Sequence, residues 1–451
     1  MRLTKPTLFV AVVSLSIGLI AVVHSTRTTR QSLEAPATAA LPVDVSLSVM
    51  TSATDRLLRT AEADIASAPQ QSAGYVTLAT AYMRKARETG DPGYYLRAEA
   101  AVQQALTLEP HSFEGLRALA WVQTGKHAFA EAVATAEQLH RERPDDPWVY
   151  GVLGDAYIEL GDYDEAAEVL QQMMDRRPGL PAYSRGAHLR ELFGDLQGAV
   201  ELMTMAVRAG SSQDPEPLAW SWVQVGNLHF NQGHLEEAEA SYQHALAVFP
   251  QYPQALAAMG RVRGAQHHYA EAIGLYHQAI AIVPIPETVA ALGDLLALTG
   301  NAEGAERQYA LVEYIEHVNE LNQTTYTRQL ALFYADHDRQ LEDARRLAEA
   351  EGARRHDIYT QDTLAWVYYK SGRMAEAEHT MAQALRLGTQ DALLFFHAGM
   401  IAQRLGKQQQ AREYLRRALT LNPAFHPFQA DTAARLLKEL EGQPDTAVAQ
   451  K

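Results

Sequence analysis

The chain has 451 residues, 47% hydrophobic and 21% charged, a balance that excludes a wholly disordered or collagen-like protein and leaves room for a large buried core. It contains no cysteine, which excludes a disulfide framework, a zinc-thiolate site and a thiol nucleophile. With 54 acidic against 39 basic residues the net charge is −15, so nothing draws the chain toward phosphate backbones and nucleic acid is not an expected partner.

Arg2 and Lys5 precede an uncharged apolar run from Thr7 to Val23. Its length lies where a long signal-peptide core overlaps a short spanning helix. Val23-His24-Ser25 offers a cleavage site, whereas Arg27 and Arg30 just beyond it weaken the positive-inside bias and the cleavage reading alike. Residues 1–25 therefore read as a signal peptide or a membrane anchor, and both readings place the remainder outside the cytoplasm, either membrane-anchored or released as a periplasmic or secreted protein. Residues 26–71 read as a Thr-, Ser-, Ala- and Pro-rich tether followed by a capping helix, SATDRLLRTAEADIASA, which Pro69 ends.

Prolines 110, 144 and 178 stand 34 residues apart, and Pro250 and Pro284 repeat the interval. A second series, Gly161, Gly194, Gly233, Gly300, Gly372 and Gly406, with His267 in phase, marks short turns, and an alanine follows each at five residues: Ala166, Ala199, Ala238, Ala305, Ala377, Ala411 and Ala272. The constant offset makes both series parts of one repeating unit. In PWVYGVLGDAYIELGDYDEAAEVLQQMMDRRP, apolar and small residues recur at three- and four-residue spacing on both sides of Gly161, which predicts two amphipathic helices joined by a tight turn. Gly161 suits the positive φ that ends the first helix, and Asp162 or Asp164 is placed to cap the second. A single pair cannot bury both apolar faces, so neighbours must stack.

These residues resemble the tetratricopeptide repeat family. One unit carries Tyr150, Leu153-Gly154, Tyr157, Ala166, Leu170, Met173 and Pro178; another carries Trp222, Val225-Gly226, His229, Ala238, Tyr242, Ala245 and Pro250; a late one carries Phe395, Ala398-Gly399, Ala402, Ala411, Leu415, Ala418 and Pro423. Ten units follow one another: 72–110, 113–146, 147–179, 180–213, 219–252, 253–285, 286–319, 324–357, 358–391 and 392–425. The first has a long turn around Gly90-Asp91-Pro92-Gly93, the fourth has Arg190 where an aromatic belongs, and the eighth is one residue too long through DHDRQLEDA. The polar stretch Ser211–Pro217 divides the array into subarrays 72–213 and 214–425, and residues 426–451 form a capping helix, DTAARLLKELEG, and a tail. The resemblance implies an all-α fold, an α-solenoid wound as a right-handed superhelix.

Motifs for chemistry are missing: there is no nucleophile elbow, phosphate loop, dinucleotide fingerprint or zincin helix. His267 and His268 are adjacent and diverge on a helix, while His229 and His234 straddle a turn, so the histidines read as packing or surface residues and no metal is expected. Glu236-Glu237, Asp145-Asp146 and the Glu165, Glu168 pair sit at helix starts, where negative charge complements the helix dipole. Asn322-Gln323-Thr324 forms a glycosylation sequon. No catalytic residue and no cofactor is assigned, and the chain reads as a non-enzyme.

In the resembling family, first-helix residues at the second, fifth, ninth, twelfth and thirteenth positions of each unit line the concave surface. Here those positions hold Arg117, Trp121, Trp148, Asp155, Glu159, His188, Trp220, Asn227, Asn231, Arg261, Asp294, Tyr359, Asp362, Trp366 and Tyr369. Rings with Asn, Asp and Arg suit recognition of an extended peptide or a partner helix, since rings supply area and polar groups set register; the competing reading is that some of these rings bridge adjacent repeats. The carboxylate clamp of one family subclass is not reproduced, because Asn227 fits one place but Val223 stands where its lysine belongs. The function expected is a protein-interaction scaffold or assembly factor binding through the concave groove, with the membrane as a second partner if the N-terminal segment is retained. The alternatives are an accessory subunit of an envelope enzyme or cofactor-delivery complex and a hydrolase whose His and Asp cluster sequence order conceals.

Overall fold

The computed structural model describes residues 52–321 and 327–442. The apolar run Thr7–Val23, the tether, the sequon at Asn322 and the final tail lie outside the described residues. Helix α1 (Ala53–Ser67) comes first, opened by a capping box in which Ser52 and Asp55 satisfy each other's backbone N–H groups. Ten helix pairs follow among the described residues. They are α2 (Ser72–Thr89) with α3 (Gly93–Leu108), α4 (Phe113–Gly125) with α5 (Phe129–Glu142), α6 (Pro147–Leu160) with α7 (Tyr163–Arg176), and α8 (Leu180–Leu192) with α9 (Leu196–Ala209). Next are α10 (Pro215–Asn231) with α11 (Leu235–Val248), α12 (Pro253–Ala265) with α13 (Tyr269–Ile282), and α14 (Pro286–Leu298) with α15 (Ala302–Leu321). The last are α16 (Thr327–Asp336) with α17 (Leu341–Gly352), α18 (Ile358–Lys370) with α19 (Met374–Ala384), and α20 (Ala392–Arg404) with α21 (Gln408–Leu421), before α22 (Gln429–Glu441). No strand occurs among the described residues.

Each pair is made by local rules. The turn glycines all take positive φ, from 74° at Gly233 to 89° at Gly161, and His267 holds the same conformation at 62°. His127, in the second repeat, adopts φ 60° and is the turn residue that the glycine series conceals. The extra residue of the eighth unit is absorbed by two left-handed residues, Asp338 and Gln340. Asp146 caps α6 through the N–H of Trp148, whereas Asp162 occupies the cap position of α7 without a side-chain bond to it.

Within a pair, the two helices approach until only glycine fits. A Cβ on Gly154 would fall 2.3 Å from Leu170 Cδ2, and one on Gly226 would fall 2.3 Å from Tyr242 Cε1. The alanine series is buried without remainder at Ala166, Ala199, Ala238, Ala272, Ala377 and Ala411. Helices α9 and α10 pack directly on one another across the polar stretch at Ser211. The core is a succession of clusters along the array, Phe129 with Leu139 and Leu153 early, Tyr242 with Tyr252 midway, and Phe395 with Leu415 late. The fold is an all-α solenoid.

The solenoid also closes on itself. Turns of the early repeats touch the inter-repeat loops of the late ones, between residues 192 to 197 apart in sequence. The N–H of His356 donates to the Leu160 carbonyl at 3.1 Å, the Thr389 hydroxyl donates to the Leu192 carbonyl at 2.8 Å, and Asn422 Nδ2 donates to the Phe230 carbonyl at 2.7 Å. Three consecutive turns thus meet three consecutive loops, so the ribbon completes a superhelical turn in just under six repeats and stacks edge on edge. The glycines record this. At Gly161, Gly194 and Gly233 the nearest atoms are backbone of the overlying turn, whereas at Gly300, Gly372 and Gly406 there is nothing within 4 Å.

Candidate functional site

The tight winding decides what remains open on the inner face. Arg117, Trp121 and Trp148 line a cleft of about 390 Å³ between α2, α4, α6 and the start of α10. The Arg117 guanidinium lies over the Trp148 ring, 4.7 Å from its centroid, and pairs with Glu114 at 3.5 Å. Across the cleft, Arg84 pairs with Asp214 at 2.7 Å and Arg87 with Glu216 at 3.2 Å. Glu216 also accepts the Tyr252 hydroxyl at 3.1 Å, and its carboxylate raises the Arg87 pKa, keeping that guanidinium charged. A guanidinium carries five N–H donors. Arg84 and Arg87 each meet one acidic partner and Arg117 two, Glu114 and Asp146, which leaves donors on all three for main-chain carbonyls of a bound segment.

The other twelve positions take part in contacts within the chain. Asp155 accepts two bonds from Arg185, at 2.8 and 2.6 Å. Asn227 Oδ1 accepts the Tyr242 hydroxyl at 2.9 Å and Arg261 Nη2 at 2.8 Å, with the Arg261 guanidinium over Phe230. Asn231 donates to Glu191 at 3.3 Å. Trp220 packs between the clusters of the fourth and fifth repeats. His188 is buried, and it borders a small depression shared with Tyr359.

Glu159 belongs to the seam between superhelical turns. It pairs with Arg355, which also contacts Glu351 at 3.0 Å and Asp357 at 3.2 Å, while Arg328 approaches Asp357 at 3.4 Å. Burial raises the Glu159 pKa. It acts the same way on Asp357, but there Arg355 and Arg328 more than offset it and the carboxyl is held below its ordinary value. Beside this network His127 is pushed down to about 3, by burial first and then by Arg355, Arg328 and Arg354.

Histidine and aspartate cluster on the inner face of the late repeats. Asp294 accepts the Tyr309 hydroxyl and stands against His337 Nε2, both at 2.8 Å. Asp362 faces His397 Nδ1 at 2.9 Å, and His397 is wholly buried. Trp366, 3% exposed, donates from Nε1 to Asp336 at 2.8 Å and lies flat between Tyr369 and His397, 4.8 and 4.1 Å away. These groups line neither the cleft at Trp121 nor the depression at His188, and no three His, Asp or Glu side chains among the described residues converge as metal ligands. Sequence spacing misses Arg84, Arg87, Asp214 and Glu216. The first two lie on α2 and the last two at the entry to α10, roughly 130 residues away, and only the superhelix makes them neighbours.

Family profiles of the tetratricopeptide repeat match residues 124–187, 219–252 and 363–424. The chain carries tetratricopeptide repeats in these three stretches. The TPR repeat-containing protein YpiA of Bacillus subtilis is 21% identical over 305 residues, covering 65% of this chain and 60% of that protein, so the chain spans three-fifths of that relative's length. Among solved structures, a tetratricopeptide repeat protein from Parabacteroides merdae is 18% identical, with 62% of this chain and 100% of that chain covered at a TM-score of 0.34. The human IFIT1 dimer with PPP-AAAA is 15% identical, with 70% and 73% covered at a TM-score of 0.45.

Proposed function

We propose that this tetratricopeptide repeat chain is a protein-interaction scaffold that holds an extended segment of its partner in the cleft of the first three repeats. The observation that carries this reading is the pairing of Trp121 and Trp148 with Arg84, Arg87 and Arg117 around one open cleft of about 390 Å³. Tryptophan and arginine are the side chains that dominate binding energy at protein interfaces, and both rings keep exposed surface here. Three guanidinium groups supply directed donors, and carboxylates on both walls keep the cleft near neutrality, which suits a peptide main chain better than a highly charged ligand. The apolar run Thr7–Val23 supports work on the extracytoplasmic side of a membrane, with the run as a signal or an anchor.

The test compares partners crosslinked to the unmodified chain with those crosslinked to a Trp121→Ala, Trp148→Ala double variant of unchanged helicity. Loss of the dominant partner is the expected result. Identical partner sets would remove the cleft from the function.

A further inference from the structure

Between α21 and α22 the chain does not turn straight into the capping helix. It crosses the inner face of the late repeats first. Asn422 anchors the crossing, with Nδ2 on the Phe230 carbonyl at 2.7 Å and Oδ1 accepting the N–H of Ala424 at 2.9 Å. The Phe425 ring then meets Phe396 of α20 at 5.7 Å between centroids. His426 Nδ1 accepts the N–H groups of Phe428 and Gln429, at 3.3 and 3.4 Å, which leaves Nε2 as the protonated nitrogen, 3.9 Å from Asp294 Oδ2 on α14. Gln429 Nε2 donates at 2.8 Å to Asp336 Oδ1, the same oxygen that accepts Trp366 Nε1.

The three residues met are Asp294, Asp336 and Phe396, which occupy the ninth, thirteenth and fifth positions of their units, while Trp366, the ninth of its own, shares the Asp336 oxygen with Gln429. Those positions line the inner face of successive first helices. A segment of this chain therefore sits where an extended ligand would, with a ring in an aromatic site, a side-chain amide donating to Asp336 and an imidazole standing 3.9 Å from Asp294. This is the arrangement of a groove and its peptide, with both halves in one molecule.

We propose that Phe425–Gln429 is a built-in ligand of the inner face of repeats seven to ten, and that this face accepts in its place a partner segment presenting an aromatic ring followed within four residues by two N–H donors. The proposal rests on the reading of the chain as a protein-binding scaffold and adds a second, self-occupied site to the open cleft. Tethering gives the internal segment a high effective concentration, so a competing segment enters only when it binds more tightly or when the strap is loosened.

The probe is a fluorescein-labelled peptide of residues 422–430, NPAFHPFQA, titrated against the full chain and against a Phe425→Ala, His426→Ala, Gln429→Ala variant. At least tenfold tighter binding to the variant is expected, together with loss of binding when the phenylalanine and glutamine equivalent to Phe425 and Gln429 in the peptide are alanine. Absence of binding to a folded variant, or equal binding to the unmodified chain, overturns the proposal. If the triple variant loses helicity, the Phe425→Ala single variant, which vacates the ring's site and keeps His426 and Gln429, is read by the same outcomes. Adding Trp121→Ala and Trp148→Ala must leave peptide binding unchanged; if they abolish it, the peptide occupies the cleft and the strap proposal fails, whereas loss of partners from the cleft alone leaves the strap untouched.

Discussion

The phenolic oxygen of Tyr163 accepts the backbone N–H of Ile358 at 2.9 Å, although the two residues lie 195 positions apart. Tyr163 opens the second helix of the third repeat and Ile358 opens the first helix of the ninth. Their bond fixes the height of one superhelical turn above another. It replaces the water that an isolated repeat edge would keep on its backbone, and Arg386 adds a second tie by donating to the Gly161 carbonyl at 3.3 Å and the His356 carbonyl at 2.9 Å.

If the turns stack in this way, equivalent glycines must respond differently to the same substitution. Gly161→Ala and Gly372→Ala both force alanine into the left-handed region, at φ 89° and 75°, for about 1–2 kcal/mol. At Gly161 the new Cβ also falls 2.7 Å from the carbonyl carbon and oxygen of His356, while at Gly372 it meets nothing within 4 Å. That collision adds about 1–3 kcal/mol. Urea titration should therefore show a clearly lower midpoint for Gly161→Ala, and equal midpoints would dissolve the edge-to-edge packing.

Arg355 is 5% exposed and is the cation on which Glu159, Glu351 and Asp357 converge. Arg355→Met removes it, leaving Glu159 and Glu351 without their cation and Asp357 with Arg328 alone, which costs about 3–5 kcal/mol for a buried ion pair broken from one side. Thermal unfolding is expected to move down sharply, and Glu159→Gln in the same chain should restore part of the loss. A melting temperature unchanged by Arg355→Met would mean that the seam is open in solution.

Glu316 gives a pH dependence of definite sign. Burial, then the neighbouring Glu287 carboxylate, pushes its pKa from 4.5 up to about 8. Between those values the unfolded chain has released the proton and the folded chain still holds it, so stability falls as pH rises, by about 1.4 kcal/mol per pH unit. The contribution is fully present below 4.5. Glu316→Gln keeps the shape and removes the titration, so the variant should match the wild type near pH 4 and exceed it at pH 8 in urea midpoint. Parallel profiles for the two proteins would show that Glu316 ionises normally in the fold.

Most of the helix-pair architecture is legible in the sequence because it is local. Gly161 ends a helix for the same reason wherever it stands, Ala166 is wholly buried in its pair, and Gly154 is glycine because Leu170 leaves no room for a Cβ. The inner-face residues were a different matter. Trp121 and Trp366 occupy the same position in their units, yet the first lines an open cleft and the second is sealed against Asp336, Tyr369 and His397. Periodicity assigns both to the inner face and has no means of separating them.

The 34-residue interval determined, without any coordinates, a stack of helix pairs, and the absence of cysteine determined that no disulfide holds it. What only the tertiary structure decided is the pitch. Each repeat adds a small rotation and rise whose sum, over about six units, brings Gly161 under His356 and Phe230 under Asn422. Those increments come from side-chain volumes across every helix crossing and leave no local mark. The edge-to-edge seam, the crossing segment from Asn422 to Gln429 and the cleft beside Trp121 and Trp148 all follow from that accumulated angle.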